Sequence, residues 1–543
     1  MSQRIIDSLS EMLPKIGISE SDGRTVMSLE QESLREAAIF LKERGYGFLV
    51  DIVGMDYGES MGAIYYVANS EFPSDVVVLK TLATDRGNPL LPSVHDIWDT
   101  AGMYEREVHD FFGIIFTGNP DMRRLFLRAD WNGYPLRKDY DADPALNPIP
   151  RRDERNTEMD DIPVIDIHGN TDPDAWQMMY DKDEYIVNFG PQHPAMHGVL
   201  HLRVSLDGEQ VKTVDPHFGY IHRGIEKMCE SYTYPQILHL TDRLDYLSGT
   251  MNRHAVCLCC EKAMQMDVPA RAVVVRTIFD ELTRIASHLL GWGSMCMDMG
   301  AVTAFIYGMR DREKIMDIFE ETAGGRLMVN YNVIGGVASD IHPGFRKRVK
   351  EFIPYMRKML KEHHMLFTGN PIATGRMRGV GRLSREKAIT LGITGPAGRA
   401  SGWYNDMRKI DSYAAYGKVD FDVVMRHEGE TFDRYIIRLD EIEQSLRIIE
   451  QLIDNIPGGA YAEKVKGIIK LPEGDWFQRV ENARGQFAVH ITSRGEKTPY
   501  RVKFRSPSMA LVGALKEVAP GNKVADLIML GGSLDYVIPC IDR

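Results

Sequence analysis

The chain has 543 residues, 26% charged and 44% hydrophobic, with 65 Lys plus Arg against 77 Asp plus Glu for a formal net charge of −12. Such a chain buries a sizeable core without staples, which excludes disordered, collagen-like and low-complexity classes, and its acidic balance argues against a nucleic-acid binder. No window of about 18 apolar residues exists to span a bilayer, and the N-terminus lacks a signal-peptide pattern, so a cytosolic chain able to dock on a membrane protein is expected.

In chain order, Leu29 to Arg44 carries apolar residues at Leu29, Leu34, Ala37, Ala38 and Leu41, the spacing of an amphipathic helix. Short β-rich runs follow at Phe48 to Val53, Ala63 to Val67 and Val76 to Leu82, with a helix-like segment at His95 to Phe112. Residues 1–145 therefore read as one α+β domain. Residues 146–182 read as a linker: Pro148, Pro150, Pro163 and Pro173 punctuate it, and acidic residues crowd Asp153 to Asp174 with little apolar periodicity. Residues 183–543 open with strand-like runs at Val199 to Leu206 and Gln210 to Val214. Apolar residues at helical spacing then mark Val273 to Leu290 and Asp433 to Ile453, and alternation from Phe487 to Phe504 predicts a small closing sheet. The expected fold is α+β: a sheet domain, a linker and a helix-rich domain with small sheets.

Six cysteines in so long a chain make no disulfide scaffold. Cys257, Cys259 and Cys260 are too close together for a familiar zinc spacing and read as buried small hydrophobes. The 29 Met are unusual, and composition alone does not explain them.

The densest polar run is Gly190-Pro191-Gln192-His193-Pro194-Ala195-Met196-His197-Gly198. Two His at i and i+4 suggest a helical metal site, but Pro194 and the flanking glycines make this a loop, and a turn with a structural His is the rival reading. His217, His222, Arg223 and Glu226 follow, then Thr241-Asp242-Arg243-Leu244-Asp245-Tyr246, a density beyond what a solvated surface requires. Asp298 stands inside the apolar Met295 to Met309, where a carboxylate must be paired or partly protonated. No P-loop, strand-linked G-x-G-x-x-G or G-x-S-x-G occurs, so nucleotide and acyl-transfer chemistry lack support.

These motifs resemble those of the large quinone-site subunit of respiratory complex I. Its marks are Gly190 to Gly198, His222-Arg223-Gly224, Asp242 to Tyr246, Gly335-Gly336-Val337, Tyr500 to Lys503 with Pro507-Ser508, and the terminal Asp542-Arg543. Residues 1–145 resemble the companion peripheral subunit through Glu105 to Ile114, Asp121-Met122-Arg123-Arg124 and Pro135 to Tyr140. The chain thus looks like a C/D fusion of NADH-quinone oxidoreductase, with the acidic stretch as the join.

The resemblance implies that His197 and Tyr246 hold the quinone headgroup and supply protons, since both can donate a hydrogen bond to a carbonyl oxygen. It implies a buried carboxylate at Asp298 near that pocket, and Arg223, Arg243 and position 328 beside a terminal iron–sulfur cluster carried by a partner subunit. This chain is expected to hold no metal or flavin itself, to contact other peripheral-arm subunits and a membrane-arm subunit at the quinone entrance, and to sit on the cytoplasmic face of the cell membrane. The family is similar in fold to nickel–iron hydrogenase large subunits, the rival function together with a non-catalytic scaffold. A hydrogenase needs two C-x-x-C pairs. By the resemblance they fall at Asp245 and Ser248 and at Val537 and Cys540, so one thiol of four remains. Two further departures are Met328, where the family has His, and Gln486, where it has Glu. Met cannot gain a proton as His does, which favours a lower-potential cluster and menaquinone.

Overall fold

A computed structural model describes residues 2–13, 15–148, 161–165, 169, 171–178, 184–192 and 198–543. The first domain is built on a five-stranded sheet ordered β1-β2-β5-β4-β3, from Gly17–Ser21 (β1), Arg24–Leu29 (β2), Phe48–Asp56 (β3), Met61–Ala68 (β4) and Val76–Leu82 (β5). All pairs are antiparallel except β2 with β5. Strands β3 and β4 are buried along their whole length, as their nearly unbroken apolar sequences imply for a sheet covered on two faces.

Alternate side chains serve two cores. Leu49, Ile52, Tyr65 and Val67 pack with the helices Leu34–Glu43 and Ala101–Phe112, whereas Phe48, Val50, Val53 and Tyr66 pack against Trp403, Phe477 and Ala488 from the far half of the chain. The first of these cores also takes in Met509, Leu511, Ile538 and Ile541. The two halves are therefore welded through apolar cores, with Tyr66 stacked on Phe477 at 3.9 Å between ring centres.

Charge completes the junction. Glu107, on the Ala101–Phe112 helix, pairs with both Lys503 and the C-terminal residue Arg543, and Arg543 also bonds Glu226 at 2.8 Å. Arg501 meets Glu226 at 2.8 Å, and Arg123 meets Asp215 at 3.0 Å. Burial alone would raise the proton affinity of Glu226, but Arg501, Lys503 and Arg543 hold its carboxyl well below the usual range.

Most sequence expectations meet their elements. The segment Val273 to Leu290 lies inside a 29-residue helix, Ala270–Asp298, which packs against Val302–Ala323 and Thr431–Ile453. The tail forms the antiparallel strands Gly474–Asn482, Gly485–Ser493 and Arg501–Arg505. Three expectations need correction. The helix expected from Leu29 begins at Leu34 after a short 3₁₀ turn and follows an earlier helix at Ser2–Met12, and the helix expected from His95 begins at Ala101. The stretch read as a plain linker holds two antiparallel strands, Asp161–Ile165 and Thr171–Met178; proline and acidic content hid them, since both disfavour strands.

All six cysteines are buried, as expected, and burial pushes the Cys257 thiol up to about 12. Much of the methionine excess is core filler: Met27, Met55, Met61, Met251, Met295, Met356, Met377 and Met407 are all essentially enclosed.

Candidate functional site

Gly198 and two turns meet on the C-terminal segment Tyr536–Arg543. His197 lies outside the described residues together with His193. At Gly198 an added Cβ would stand 2.8 Å from Ile538 Cγ1. Gly190 has a φ of +84° and a 2.0 Å approach of an added Cβ to the Leu200 carbonyl, which no other residue tolerates.

The first turn, 217–224, is clamped to the terminus. The Asp542 carboxylate accepts the Gly219 and Ile221 amides at 2.9 and 3.2 Å, and His222 Nδ1 donates to the Asp542 carbonyl at 2.9 Å. The His222 ring lies against Phe111 and Phe126 of the first domain. With its neighbours so held, Arg223 projects into solvent.

The second turn, Asp242 to Ser248, joins the helices Tyr234–Thr241 and Gly249–Ala263. Its polar residues split into anchors and exposed groups. Asp242 is buried against Arg253 at 3.1 Å, and burial pushes its carboxyl up to about 6; Asp245 is buried against Arg484 at 3.0 Å. Between and after these anchors Arg243 and Tyr246 face outward, Tyr246 at 39% exposure. Partial burial raises the Tyr246 hydroxyl above its ordinary pKa, while Arg484 opposes that rise. Neither Arg223 nor Arg243 forms an ion pair with a described residue, although the charge of Arg243 is felt at Asp242.

Arg253 connects this turn to position 328. Its guanidinium bonds Asp242 and also Asn330 Oδ1, at 2.8 Å, and it bonds the Asn332 carbonyl. Met328 and Asn330 both have φ near +50°, so the loop after the Val302–Ala323 helix is tightly folded where Met328 sits half-buried. Asp298 ends the long helix and is also half-buried, not enclosed by the apolar run around it. Met295 to Met309 is not one element: the helix stops at Asp298 and a new one starts at Val302. The charge of Asp298 is felt at Cys296 and at Tyr536, which ties it to the terminal segment.

Asp245, Ser248 and Cys540, three of the positions at which the resemblance would place nickel ligands, have protein partners here. Arg484 Nη1 donates to Asp245 Oδ2 at 3.0 Å, to Ser248 Oγ at 3.2 Å and to Ser287 Oγ at 2.9 Å, while Nη2 reaches Asp535 at 3.4 Å. A guanidinium thus takes the cationic place between those side chains. Cys540 accepts a hydrogen bond from Ser506 Oγ at 2.9 Å, and burial pushes its thiol up to about 12. Arg253 and Arg484 were not picked out as site-building residues from the sequence; the only hint was Arg484 within the Glu481 to Gln486 segment. Gln486 is fully buried with neither side-chain amide atom bonded, and nothing in the structure explains the substitution.

Comparison with known proteins places the chain in a family. Residues 27–145 match the model described as respiratory-chain NADH dehydrogenase, 30 Kd subunit, and residues 298–470 and 462–543 match that of the 49 Kd subunit. The chain is 55% identical to the NADH-quinone oxidoreductase C/D subunit of Phocaeicola vulgatus over 95% of its length and 99% of that protein. It is 52% identical to the C/D subunit of Bacteroides thetaiotaomicron, over 95% and 98%. The NADH-quinone oxidoreductase D subunit of Desulforamulus reducens is 45% identical over 67% of this chain and 100% of its own length.

Proposed function

The chain belongs to the C/D subunits of NADH-quinone oxidoreductase, complex I, and from that premise we propose that His197, next to Gly198, and the two turns around Tyr536–Arg543 form its quinone-reduction site. The observation that carries the reading is the convergence itself. Gly198 beside His197, the Arg223 turn and the Tyr246 turn all rest on the same terminal stretch, while their cations and phenol point away from it.

In this reading His197 and Tyr246 bind the two-carbonyl headgroup by hydrogen bonds and supply the protons that reduction requires. Asp298, whose charge reaches Tyr536 at the edge of the site, acts on the proton held by His197. Arg223 and Arg243 face the terminal iron–sulfur cluster of a partner subunit, where fixed positive charge favours the reduced state and raises its potential. A membrane-arm subunit meets the quinone entrance, and the chain lies on the cytoplasmic face of the membrane as a peripheral subunit. Among the described residues no helix is long and apolar enough to cross a membrane. The junction between the C-like part (1–145) and the D-like part (183–543) is assigned to 146–182.

Met328 narrows the substrate. A His there would couple cluster reduction to proton uptake, each pK unit of coupling being worth about 1.4 kcal/mol or roughly 59 mV for one electron. Met removes that coupling, so the cluster has a low, nearly pH-independent potential suited to menaquinone. Redox titration of the native complex at several pH values tests this: a flat profile agrees, and a steep slope sinks it. The function itself is tested by isolating the native complex and assaying quinone reduction with NADH and other donors, with elemental analysis for nickel alongside. Quinone reduction in a nickel-poor complex supports the reading; a complex that holds nickel and evolves hydrogen overturns it.

A further inference from the structure

Several arginines buried in this chain have their charge met by a carboxylate. Arg276 pairs with Glu261 at 2.6 Å, Arg399 with Glu441 at 2.6 Å, and Arg408 with Asp406 at 2.7 Å. Arg434 instead gives its donors to the Gly429 and Gly381 carbonyls at 2.7 and 2.9 Å. Arg312, on the Val302–Ala323 helix, is 7% exposed, yet no hydrogen bond or ion pair to a described residue meets its guanidinium. Its Nε is sealed without a partner. Burying a cation without a partner is costly, and such a position persists where a ligand or a developing charge supplies what the protein withholds.

What lies around it identifies that charge. The groups acting on Arg312 are Glu313, Arg326 and the Tyr246 hydroxyl. Glu313 is engaged by Arg326, which also holds Asp317 and Glu320 on the exposed side of the helix. Tyr246 is faced by Arg484, Asp245, Asp535 and Arg312. Arg484 is committed to both of those carboxylates. Among the described residues, Arg312 is thus the cation near Tyr246 with no carboxylate of its own.

We propose that Arg312 is a positioning residue of the quinone site, its guanidinium steadying the Tyr246 hydroxyl and the negative charge left there when Tyr246 gives up its proton. The inference rests on the quinone-site reading above. NADH-quinone oxidoreduction delivers two electrons and two protons to each quinone. One proton passes from the Tyr246 hydroxyl to a quinone oxygen, breaking the phenolic O–H bond and forming that of the hydroquinone. The tyrosinate is held beside Arg312 until water returns a proton to it. A stabilised tyrosinate makes Tyr246 a stronger acid, and so a better donor at neutral pH.

The test uses the native complex in membranes carrying Arg312→Met, Arg312→Lys, Tyr246→Phe and the Arg312→Met/Tyr246→Phe double variant. NADH-to-quinone turnover is followed against pH, with NADH-to-ferricyanide turnover counting assembled complex. Arg312→Met should cut quinone turnover at pH 7 by about tenfold or more and shift the alkaline limb of its pH profile upward, with the quinone KM little changed. Arg312→Lys should restore much of the rate, and in the Tyr246→Phe background Arg312→Met should cost almost nothing more. If Arg312→Met does not assemble, Arg312→Gln, which keeps a polar end without the charge, carries the same profile. An unmoved alkaline limb, or equal losses with and without the Tyr246 hydroxyl, overturns the Arg312 role. Unimpaired quinone turnover in Tyr246→Phe instead overturns the quinone-site reading on which it rests.

Discussion

Two charged regions share the C-terminal segment and treat charge in opposite ways. Where the halves of the chain meet, Glu107, Glu226, Arg501, Lys503 and Arg543 are all buried and all paired. A few residues away, Arg223 and Arg243 are exposed and unpaired among the described residues, and Tyr246 stands partly in solvent. Removing one member of a closed buried network strands its partner in a low dielectric, whereas trimming an outward side chain leaves nothing stranded. Stability should therefore reside in the first region and activity in the second. Arg543 belongs to the first region while its neighbour Asp542 anchors the turn that presents Arg223, so one short segment serves both.

The sharpest break in that comparison is at Arg543. Arg543→Met leaves Glu107 and Glu226 short of a donor, and losing one partner of a buried pair costs about 3–5 kcal/mol. Loss of assembled complex, or a large fall in its melting temperature, is the expected outcome, and a normal melting curve would dissolve the contrast. Glu105 offers a milder test inside the first region. It is fully buried, accepting hydrogen bonds from Ser93 Oγ, the Val94 amide and Asn119 at 2.6, 2.8 and 2.7 Å, and burial pushes its carboxyl up to about 7. The folded chain therefore holds a proton there that the unfolded chain gives up near pH 4.5, and stability contributed by this group declines as pH rises from about 4.5 through 7. Glu105→Gln should flatten that decline in a pH series of thermal melts; an unchanged slope would show that other groups set it. Smallest is the effect of Arg223→Met or Arg243→Met, which should alter stability by no more than about 0.5 kcal/mol yet lower the partner cluster's potential by some tens of millivolts, on the order of 50 mV.

Much of this was legible before the structure. The apolar runs of β3 to β5 and the helical spacing after Val273 predicted their elements because burial dictates both patterns. Asp242 to Tyr246 stood out because polar and charged groups crowd so short a run, though which would anchor and which would project was invisible. That depends on Arg253 and Arg484, 11 and 239 residues along the chain from the carboxylates they hold. The paired strands of 161–178 were hidden by proline and acid, which weaken strand propensity without forbidding a ribbon. That Asp298 stands at a helix end was not legible, because hydropathy does not show such an end between two apolar stretches. Arg312 was passed over, since its lack of a partner exists only in three dimensions.

The account's central claim, that the outward groups work on quinone while the inward ones hold the fold, comes down most directly to Tyr246. In membranes bearing Tyr246→Phe, NADH-to-quinone turnover divided by NADH-to-ferricyanide turnover should fall by at least about tenfold, with the melting temperature of the complex unchanged. A ratio equal to that of the unsubstituted complex would contradict it.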